Sequence, residues 1–297
     1  MKIYMRDFFD TFTYPEPARD TLLSAYDRIN DYEELHKEFG ILLNTYAKDK
    51  DCDFQKLLSG MDEISCKAGV HEYTGALLLV ICLTKQLKVY YEAEKINEQI
   101  WYTSMCDLKF KLLECKDVYD IWGTFVAGWF ERFFNVTRFG INRLQFELVP
   151  FHSQEEYTRN GITLKPGDQV INVHIPRTGT RLDRESVVKS YEEAAVFFRE
   201  RYQLEYIAFV CSSWLLYPRN KEVLSPQSNL YAFISDFDII ESGDNKDYRG
   251  VWRLFDKNYE GDVEMLPQDT SLRRIYADWI RKGEKVGWGY GVYIDNF

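Results

Sequence analysis

The chain has 297 residues, 45% of them hydrophobic, and a formal net charge of −10. This length and composition allow two globular domains and exclude a disordered chain. The acidic balance argues against non-specific binding to nucleic acid or to an anionic membrane, so we expect neither as a partner. It is still compatible with a local basic pocket for a small anion.

The cysteines and the apolar stretches indicate the cellular compartment of the protein. Six cysteines include no Cys-x-x-Cys pair, and none of the four histidines lies near such a pair, so we expect no metal site. The first residues lack the charged-then-apolar layout of a signal peptide. The longest uncharged stretch among residues 1–136, YTGALLLVICLT at 73–84, is too short to span a bilayer. We therefore expect a reduced, cytoplasmic protein.

Residues 1–136 are predicted to form an all-helical domain. Apolar side chains recur at helical spacing over residues 21–46, 72–93, 97–113 and 117–134. The last of these stretches carries an apolar stripe that we interpret as core packing rather than a ligand face. The stripe consists of Trp122, Phe125, Val126, Trp129, Phe130 and Phe133.

The hydrophobic period changes from helical to alternating after residue 140. In NRLQFELV, Leu144 and Phe146 share one face and Gln145 and Glu147 the other, which indicates a strand. GITL and QVINVHI are joined by Lys-Pro-Gly-Asp, a type II turn signature, so we expect these two strands to form a hairpin. A helix over residues 184–202 and a buried strand over 206–217 follow.

The remaining segments alternate between the two types of element. SPQSNLYAFI is predicted to be a short helix, and a further helix is predicted over residues 270–281. FDIIES, GVWRLF and WGYGVYI are predicted strands. The fold class is therefore α+β, with an all-helical N-terminal domain at 1–136 and a mixed-sheet α/β C-terminal domain at 137–297.

Four stretches of the second half resemble a known family: VHIP, SYEEAAVFF, CSSWLLYP and SNLYAFISDFDI. They are similar to bacterial acyltransferase domain-containing proteins, which have a helical N-terminal domain and a GNAT-like C-terminal domain. In GNAT-type N-acyltransferases, acyl-CoA binds where two central strands splay, with its pyrophosphate on the loop into the main helix. The resemblance implies acetyl-CoA or another acyl-CoA as co-substrate and an amine on a small molecule or peptide as acceptor.

The loop before the main helix matches the family pattern only in part. An ordinary GNAT has Gln/Arg-x-x-Gly-x-Gly/Ala here; Arg177 matches, but Thr180 and Leu182 replace the glycines, and Gly179 is displaced by one residue. Arginine and threonine side chains can still coordinate phosphate. Alternatively, Asp183 is simply the N-cap of the helix. The resemblance implies these CoA-binding residues: Val173, Ile175, Arg177, Thr178, Gly179, Thr180, Arg181 and Asn229.

Three residues are candidates for proton transfer. His174 is a natural general base near neutral pH, and Glu147 is a candidate base on the polar face of its strand. Tyr231 lies on the short helix that in GNATs often contributes the tyrosine that protonates the thiolate. The alternatives are a hydrogen-bonded structural histidine and a solvated glutamate on an exposed edge strand. Cys211 is interpreted as a buried small hydrophobe rather than an acyl-accepting thiol.

The sequence supports two functions of different classes. One is an acyl-CoA-dependent N-acyltransferase that transfers acyl groups other than amino-acyl groups, favoured by the arginines of the loop and by His174. The alternative is a GNAT-like binding module that has lost its cofactor, favoured by Thr180 and Leu182 in place of glycine. Carbohydrate binding by the C-terminal aromatic residues is a third idea, although core packing also explains them. These aromatic residues are Trp252, Trp279, Trp288, Tyr290 and Tyr293.

Overall fold

Helices form the first of two units in the computed structural model, which describes residues 1–295. The first unit comprises Met1–Phe139, and the second begins at Gly140. The helices of the first unit are α1 (Lys2–Thr11), α2 (Glu16–Asn30), α3 (Glu33–Lys48), α4 (Phe54–Ala68), α5 (Glu72–Ala93), α6 (Glu98–Tyr119) and the short α7 (Glu131–Phe134).

The core of the first unit is built around α5. Every residue from Thr74 to Thr84 is buried, as expected of a helix surrounded by other helices. Capping residues determine both ends of α4. At its start, the Asp53 side chain accepts a hydrogen bond from the Lys56 N–H. Gly69, with φ of +64°, ends the same helix in the left-handed conformation that glycine adopts without strain.

Two of the predicted helices are interrupted. The predicted helix over residues 21–46 is two helices, α2 and α3. The predicted helix over 117–134 is broken: α6 ends at Tyr119, where Asp120 takes a φ of +60°, and helical structure resumes with a 3-10 turn and α7. The chain then passes so close to the backbone of Tyr73 that a Cβ on Gly123 would lie 2.4 Å from it. Of the predicted apolar stripe, Phe130 and Phe133 are fully buried in the core.

A six-stranded mixed sheet with flanking helices forms the second unit, except that its first strand begins two residues before the unit boundary. Its strands are β1 (Arg138–Ile141), β2 (Leu144–Pro150), β5 (Gln169–His174), β6 (Phe209–Ser213), β7 (Asp238–Asp244) and β8 (Gly287–Tyr293), in the order β1-β2-β5-β6-β8-β7. A separate two-stranded sheet pairs β3 (Tyr157–Arg159) with β4 (Ile162–Leu164). The helices are α8 (Arg184–Tyr202), α9 (Arg219–Val223), α10 (Asn229–Asp236), α11 (Trp252–Phe255) and α12 (Ser271–Arg281). The α+β class predicted from the sequence is confirmed.

One face of the large sheet is packed by aromatic side chains. Phe146 on β2 lies 5.6 Å from Phe209 on β6, measured between ring centroids, and 6.4 Å from Tyr191 on α8. Phe198, two turns further along α8, contacts the same Phe146 ring. Helix α8 is therefore fixed against this face of the sheet.

Two predictions about the second unit are wrong. The Lys-Pro-Gly-Asp turn forms, with Gly167 at φ of +90° and the Asp168 N–H donating to the Lys165 carbonyl. Its flanking strands do not pair with each other, however: β4 pairs with β3, and β5 pairs with β2. The predicted strand GVWRLF is a short 3-10 turn followed by α11, in the helical segment between β7 and β8.

Candidate active site

The two central strands separate in the second unit. Strands β5 and β6 run parallel and are paired at Ile171 with Phe209 and at Asn172 with Val210. Beyond these pairs β5 continues to His174, whereas β6 continues beside β8 as far as Ser213. Val173 and Ile175 lie in the part of the chain that follows the last pair. An extended ligand could form main-chain hydrogen bonds at such an opening in a sheet.

Four polar side chains share one face of β2 and β5 at this opening. The antiparallel register places Gln145 opposite His174 and Glu147 opposite Asn172, and residues directly opposite one another point to the same side. Glu147 Oε2 lies 3.1 Å from His174 Nε2, and Asn172 Nδ2 lies 3.3 Å from the same nitrogen. These four residues are called the polar patch below.

The Glu147 side chain is not on an exposed edge strand. Strand β2 lies between β1 and β5, and only 6% of the side chain is accessible to solvent. A carboxylate can only accept, so the 3.1 Å contact places a proton of His174 on Nε2. Glu147 therefore fixes the orientation of the imidazole. The two candidate bases form one pair, in which Glu147 is buried and His174 half-buried, and such a pair can transfer protons.

The loop between β5 and α8 is held by a residue that the sequence analysis did not identify. Arg143, in the turn before β2, donates from Nη1 to the Pro176 carbonyl at 2.9 Å. Weaker contacts of 3.4 Å join the same guanidinium to the Thr180 and Arg181 carbonyls. Burial lowers the pKa of Arg143. No motif marks this arginine in the sequence; its role follows from the fold alone.

Within the loop, the hydroxyls of Thr178 and Thr180 lie 2.7 Å apart, and Gly179 has a φ of +72°. Leu182 is buried. The Asp183 carboxylate accepts from the Ser186 N–H at 2.9 Å. The N-cap interpretation of Asp183 is therefore confirmed.

The two arginines of the loop differ in their surroundings. Arg177 Nη2 lies 3.3 Å from Asp256 Oδ2, and the same carboxylate oxygen lies 2.5 Å from Arg273 Nη2. Asp256 follows α11 and has a φ of +54°. The side chain of Arg181 is exposed. Asp256 is a second residue that sequence reasoning missed, because it lies far along the chain from the loop that it contacts.

Tyr231 and Asn229 lie in the first turn of α10. Ser228 caps this helix by accepting from the Tyr231 N–H at 3.1 Å, and the Lys221 ammonium lies 5.5 Å from the centre of the Tyr231 ring. Asn229 is exposed. Within residues 1–295, the contacts of Tyr231 do not include Glu147 or His174. The structure thus brings those two together and leaves Tyr231 on a separate helix.

Several other groups can be assigned to packing. Cys211 is completely buried, and burial raises the pKa of its thiol to about 12, so it is not a nucleophile at neutral pH. The C-terminal aromatic residues considered for carbohydrate binding are all buried or half-buried; Trp279, for example, packs 4.8 Å from the Tyr276 ring. In residues 1–295 no group of three or more His, Cys, Asp or Glu side chains is arranged to hold a metal ion. No helix in that range combines the length and the apolar character needed to cross a bilayer.

Two family models match the sequence. The model of the N-acyltransferase N-terminal domain matches residues 4–136, and that of the GNAT-like C-terminal domain matches residues 136–293. The chain belongs to the GNAT-like C-terminal domain family. No curated protein matches the sequence.

Solved acyltransferase structures have the same fold as this GNAT-like chain. One is an acyltransferase in complex with decanoyl-CoA, with a TM-score of 0.75 and 18% identity, covering 98% of this chain and 87% of the other. Another is an acyltransferase mutant in complex with octanoyl-CoA, with a TM-score of 0.76 and 17% identity over the same shares of the two chains. A third is an acyltransferase in complex with decanoyl-CoA and teicoplanin, with a TM-score of 0.75 and 17% identity, covering 97% of this chain and 87% of that one.

Proposed function

We propose that this GNAT-like chain is an acyl-CoA-dependent N-acyltransferase. The observation that carries the proposal is the contact between the buried Glu147 and the half-buried His174, which lie on β2 and β5 where β5 separates from β6. A base beside such an opening is what acyl transfer from a bound thioester to an amine requires. The similar structures support an acyl-CoA as donor, because they are complexes with decanoyl-CoA and octanoyl-CoA.

In the proposed reaction the nitrogen of the acceptor amine attacks the carbonyl carbon of the thioester. A C–N bond forms, the C–S bond breaks, and the CoA thiolate leaves with the electron pair of that bond. His174 takes a proton from the attacking amine, and the Glu147 carboxylate at 3.1 Å stabilises the resulting imidazolium. Tyr231 is proposed to return a proton to the thiolate.

The loop from Ile175 to Arg181 is proposed to bind the CoA pyrophosphate, with Val173 and Ile175 bonding the pantetheine through their backbones. Arg177 and Arg181 supply positive charge, the hydroxyls of Thr178 and Thr180 supply donors, and Asn229 completes the site. Replacing both arginines with alanine is expected to weaken CoA binding, because each phosphate contact to a guanidinium is lost. Unchanged CoA affinity in the double variant would place the pyrophosphate elsewhere.

The decisive experiment combines ligand binding with turnover. Thermal unfolding is measured with acetyl-, octanoyl- and decanoyl-CoA, with ATP as a control for non-specific binding of phosphates. At a hundredfold excess over Kd, a ligand that binds only the native state stabilises it by about 2.7 kcal/mol. His174→Ala and Glu147→Gln are then expected to retain this stabilisation but to lower turnover by roughly 10²–10⁴-fold.

Turnover of the wild type is also expected to fall as the pH is lowered, because a general base must be unprotonated. Full turnover in both variants would exclude Glu147 and His174 as the base. Absence of stabilisation by every thioester would instead favour the alternative function, a GNAT-like binding module without cofactor. The observations that favour this alternative are the buried Leu182 in place of a glycine and the ion pair of Arg177 with Asp256.

The acceptor is proposed to be an amine on a small molecule or peptide. One of the similar structures contains the glycopeptide teicoplanin, which extends the range of amines worth screening to glycopeptides. We also propose that the protein acts in the cytoplasm. All six cysteines are free thiols, which is consistent with a reducing compartment.

A further inference from the structure

One member of the polar patch has an unmatched hydrogen-bonding atom. Glu147 and Asn172 both contact the His174 imidazole, at 3.1 and 3.3 Å. The fourth member, Gln145, is only 2% exposed, and its side-chain oxygen Oε1 is buried without a hydrogen-bond partner among residues 1–295. A buried acceptor oxygen on the face that Gln145 shares with the proposed base is therefore not used by the fold.

A buried amide is normally satisfied, and another in the same unit shows the contrast. The Asn220 side chain, 1% exposed, donates to the Trp214 and Leu215 carbonyls at 2.8 and 2.9 Å and accepts from the Tyr276 hydroxyl at 2.7 Å. Asn220 thus stabilises the fold through every polar atom of its amide. A buried oxygen without a partner destabilises the fold, so the presence of Gln145 calls for a partner outside the protein.

The position of Gln145 indicates what this partner is. The Cα atoms of Gln145 and His174 are directly opposed in the antiparallel register, so both side chains lie on the same face of neighbouring strands. We propose that Gln145 Oε1 accepts a hydrogen bond from the nucleophile and thereby selects an amine over an alcohol. This inference rests on the proposed acyltransferase function.

The selectivity follows from the number of hydrogen atoms on the nucleophile. A neutral primary amine carries two N–H bonds: the hydrogen of one is transferred to His174 as the C–N bond forms, and the other donates to Gln145 Oε1. An alcohol carries one O–H, which has to be given to the base. With an alcohol bound, Gln145 stays unsatisfied, and a site that leaves a buried polar group unpaired discriminates strongly against that substrate.

The test uses Gln145→Met, which keeps the length of the side chain and removes its polar atoms. Asn220→Leu is the matched control, because it removes a buried amide that is fully bonded. Thermal unfolding is measured for both variants, with and without decanoyl-CoA. Release of CoA from decanoyl-CoA is then followed with benzylamine, with benzyl alcohol and with water alone as the acyl acceptor, and the products are identified by mass spectrometry.

We expect Gln145→Met to raise the melting temperature by about 2–4 °C, whereas Asn220→Leu lowers it. Stabilisation by decanoyl-CoA should be retained in Gln145→Met. The ratio of amide formation to thioester hydrolysis should fall by roughly tenfold, the effect of one lost hydrogen bond, and the preference for benzylamine over benzyl alcohol should fall with it.

A lower melting temperature in Gln145→Met would show that Gln145 is structural and would overturn the inference, as would an unchanged ratio of amide formation to hydrolysis. The melting temperature tests Gln145 even if benzylamine is a poor substrate. Failure of the wild type to be stabilised by any CoA thioester is a separate result, since it would refute the proposed acyltransferase and not the unmatched oxygen.

Discussion

Replacing Arg143 with methionine is expected to weaken the binding of CoA thioesters, because this arginine holds the loop that is proposed to bind the pyrophosphate. Its Nη1 donates to the Pro176 carbonyl at 2.9 Å, and two longer contacts of 3.4 Å reach the Thr180 and Arg181 carbonyls. Methionine retains most of the apolar stem and removes every donor. Without these bonds the ligand has to order the loop as it binds. The free energy that this ordering costs weakens the binding of the thioester.

The 2.9 Å bond supplies most of the effect, since hydrogen bonds weaken steeply with length. A hydrogen bond from a charged donor contributes about 1.5–3 kcal/mol, which corresponds to a roughly 10- to 150-fold rise in Kd. Isothermal titration with decanoyl-CoA measures this change directly. Arg249→Met is the control, because that side chain is 89% exposed and pairs only locally with Asp247. An unchanged Kd in Arg143→Met would refute the argument that the loop geometry depends on Arg143.

Three further predictions concern single residues. In Asp256→Asn, Arg177 loses a competing negative charge 3.3 Å away, so titration at low salt should show CoA binding roughly threefold more tightly; weaker binding would mean that Asp256 positions Arg177. Burial raises the pKa of the Cys211 thiol from 9.0 to about 12, so the folded state favours the thiol form: this stabilisation is complete below pH 9 and is lost as the pH rises toward 12. The free energy of unfolding of the wild type should therefore fall by about 1.4 kcal/mol per pH unit more than that of Cys211→Ala above pH 9, and equal slopes would contradict this. In Asn220→Leu, two carbonyls and the Tyr276 hydroxyl lose their partners, so urea denaturation should show a loss of at least about 3 kcal/mol, against about 1 kcal/mol for Tyr276→Phe; similar losses would contradict the assignment of three bonds to the amide.

The sequence predicted the fold class well because hydrophobic period is a strong local signal. It predicted strand pairing poorly, because pairing depends on distant partners. The turn at Pro166 and Gly167 forms as its residues predict. Strand β5, however, lies in the middle of the sheet and pairs with β2 and β6 rather than with the strand just before the turn. GVWRLF looks like a strand by composition, but Val251 and Phe255 are four residues apart and are both buried on one side of a helical segment.

The candidate site was predicted residue by residue but not as an arrangement. Alternation placed Glu147 and His174 on the polar faces of their strands, but no local pattern says that β2 and β5 are neighbours in this register. Glu147 was therefore open to interpretation as a solvated residue until the register was known. Arg143 and Asp256 contact the loop only because the chain returns to it, so neither carries a signal in the sequence.

The polar patch is best understood from what surrounds it on the same face of the sheet. Further along that face, Val170, Val210 and Val292 are buried in an apolar cluster. Apolar residues in place of Gln145 and Glu147 would extend this cluster without the cost of burying a carboxylate and an amide. Local packing rules thus favour an apolar face at these buried positions, and Gln145 and Glu147 depart from them beside the point where β5 separates from β6. A departure beside the point where a ligand could enter the sheet is expected of residues selected for chemistry rather than for stability.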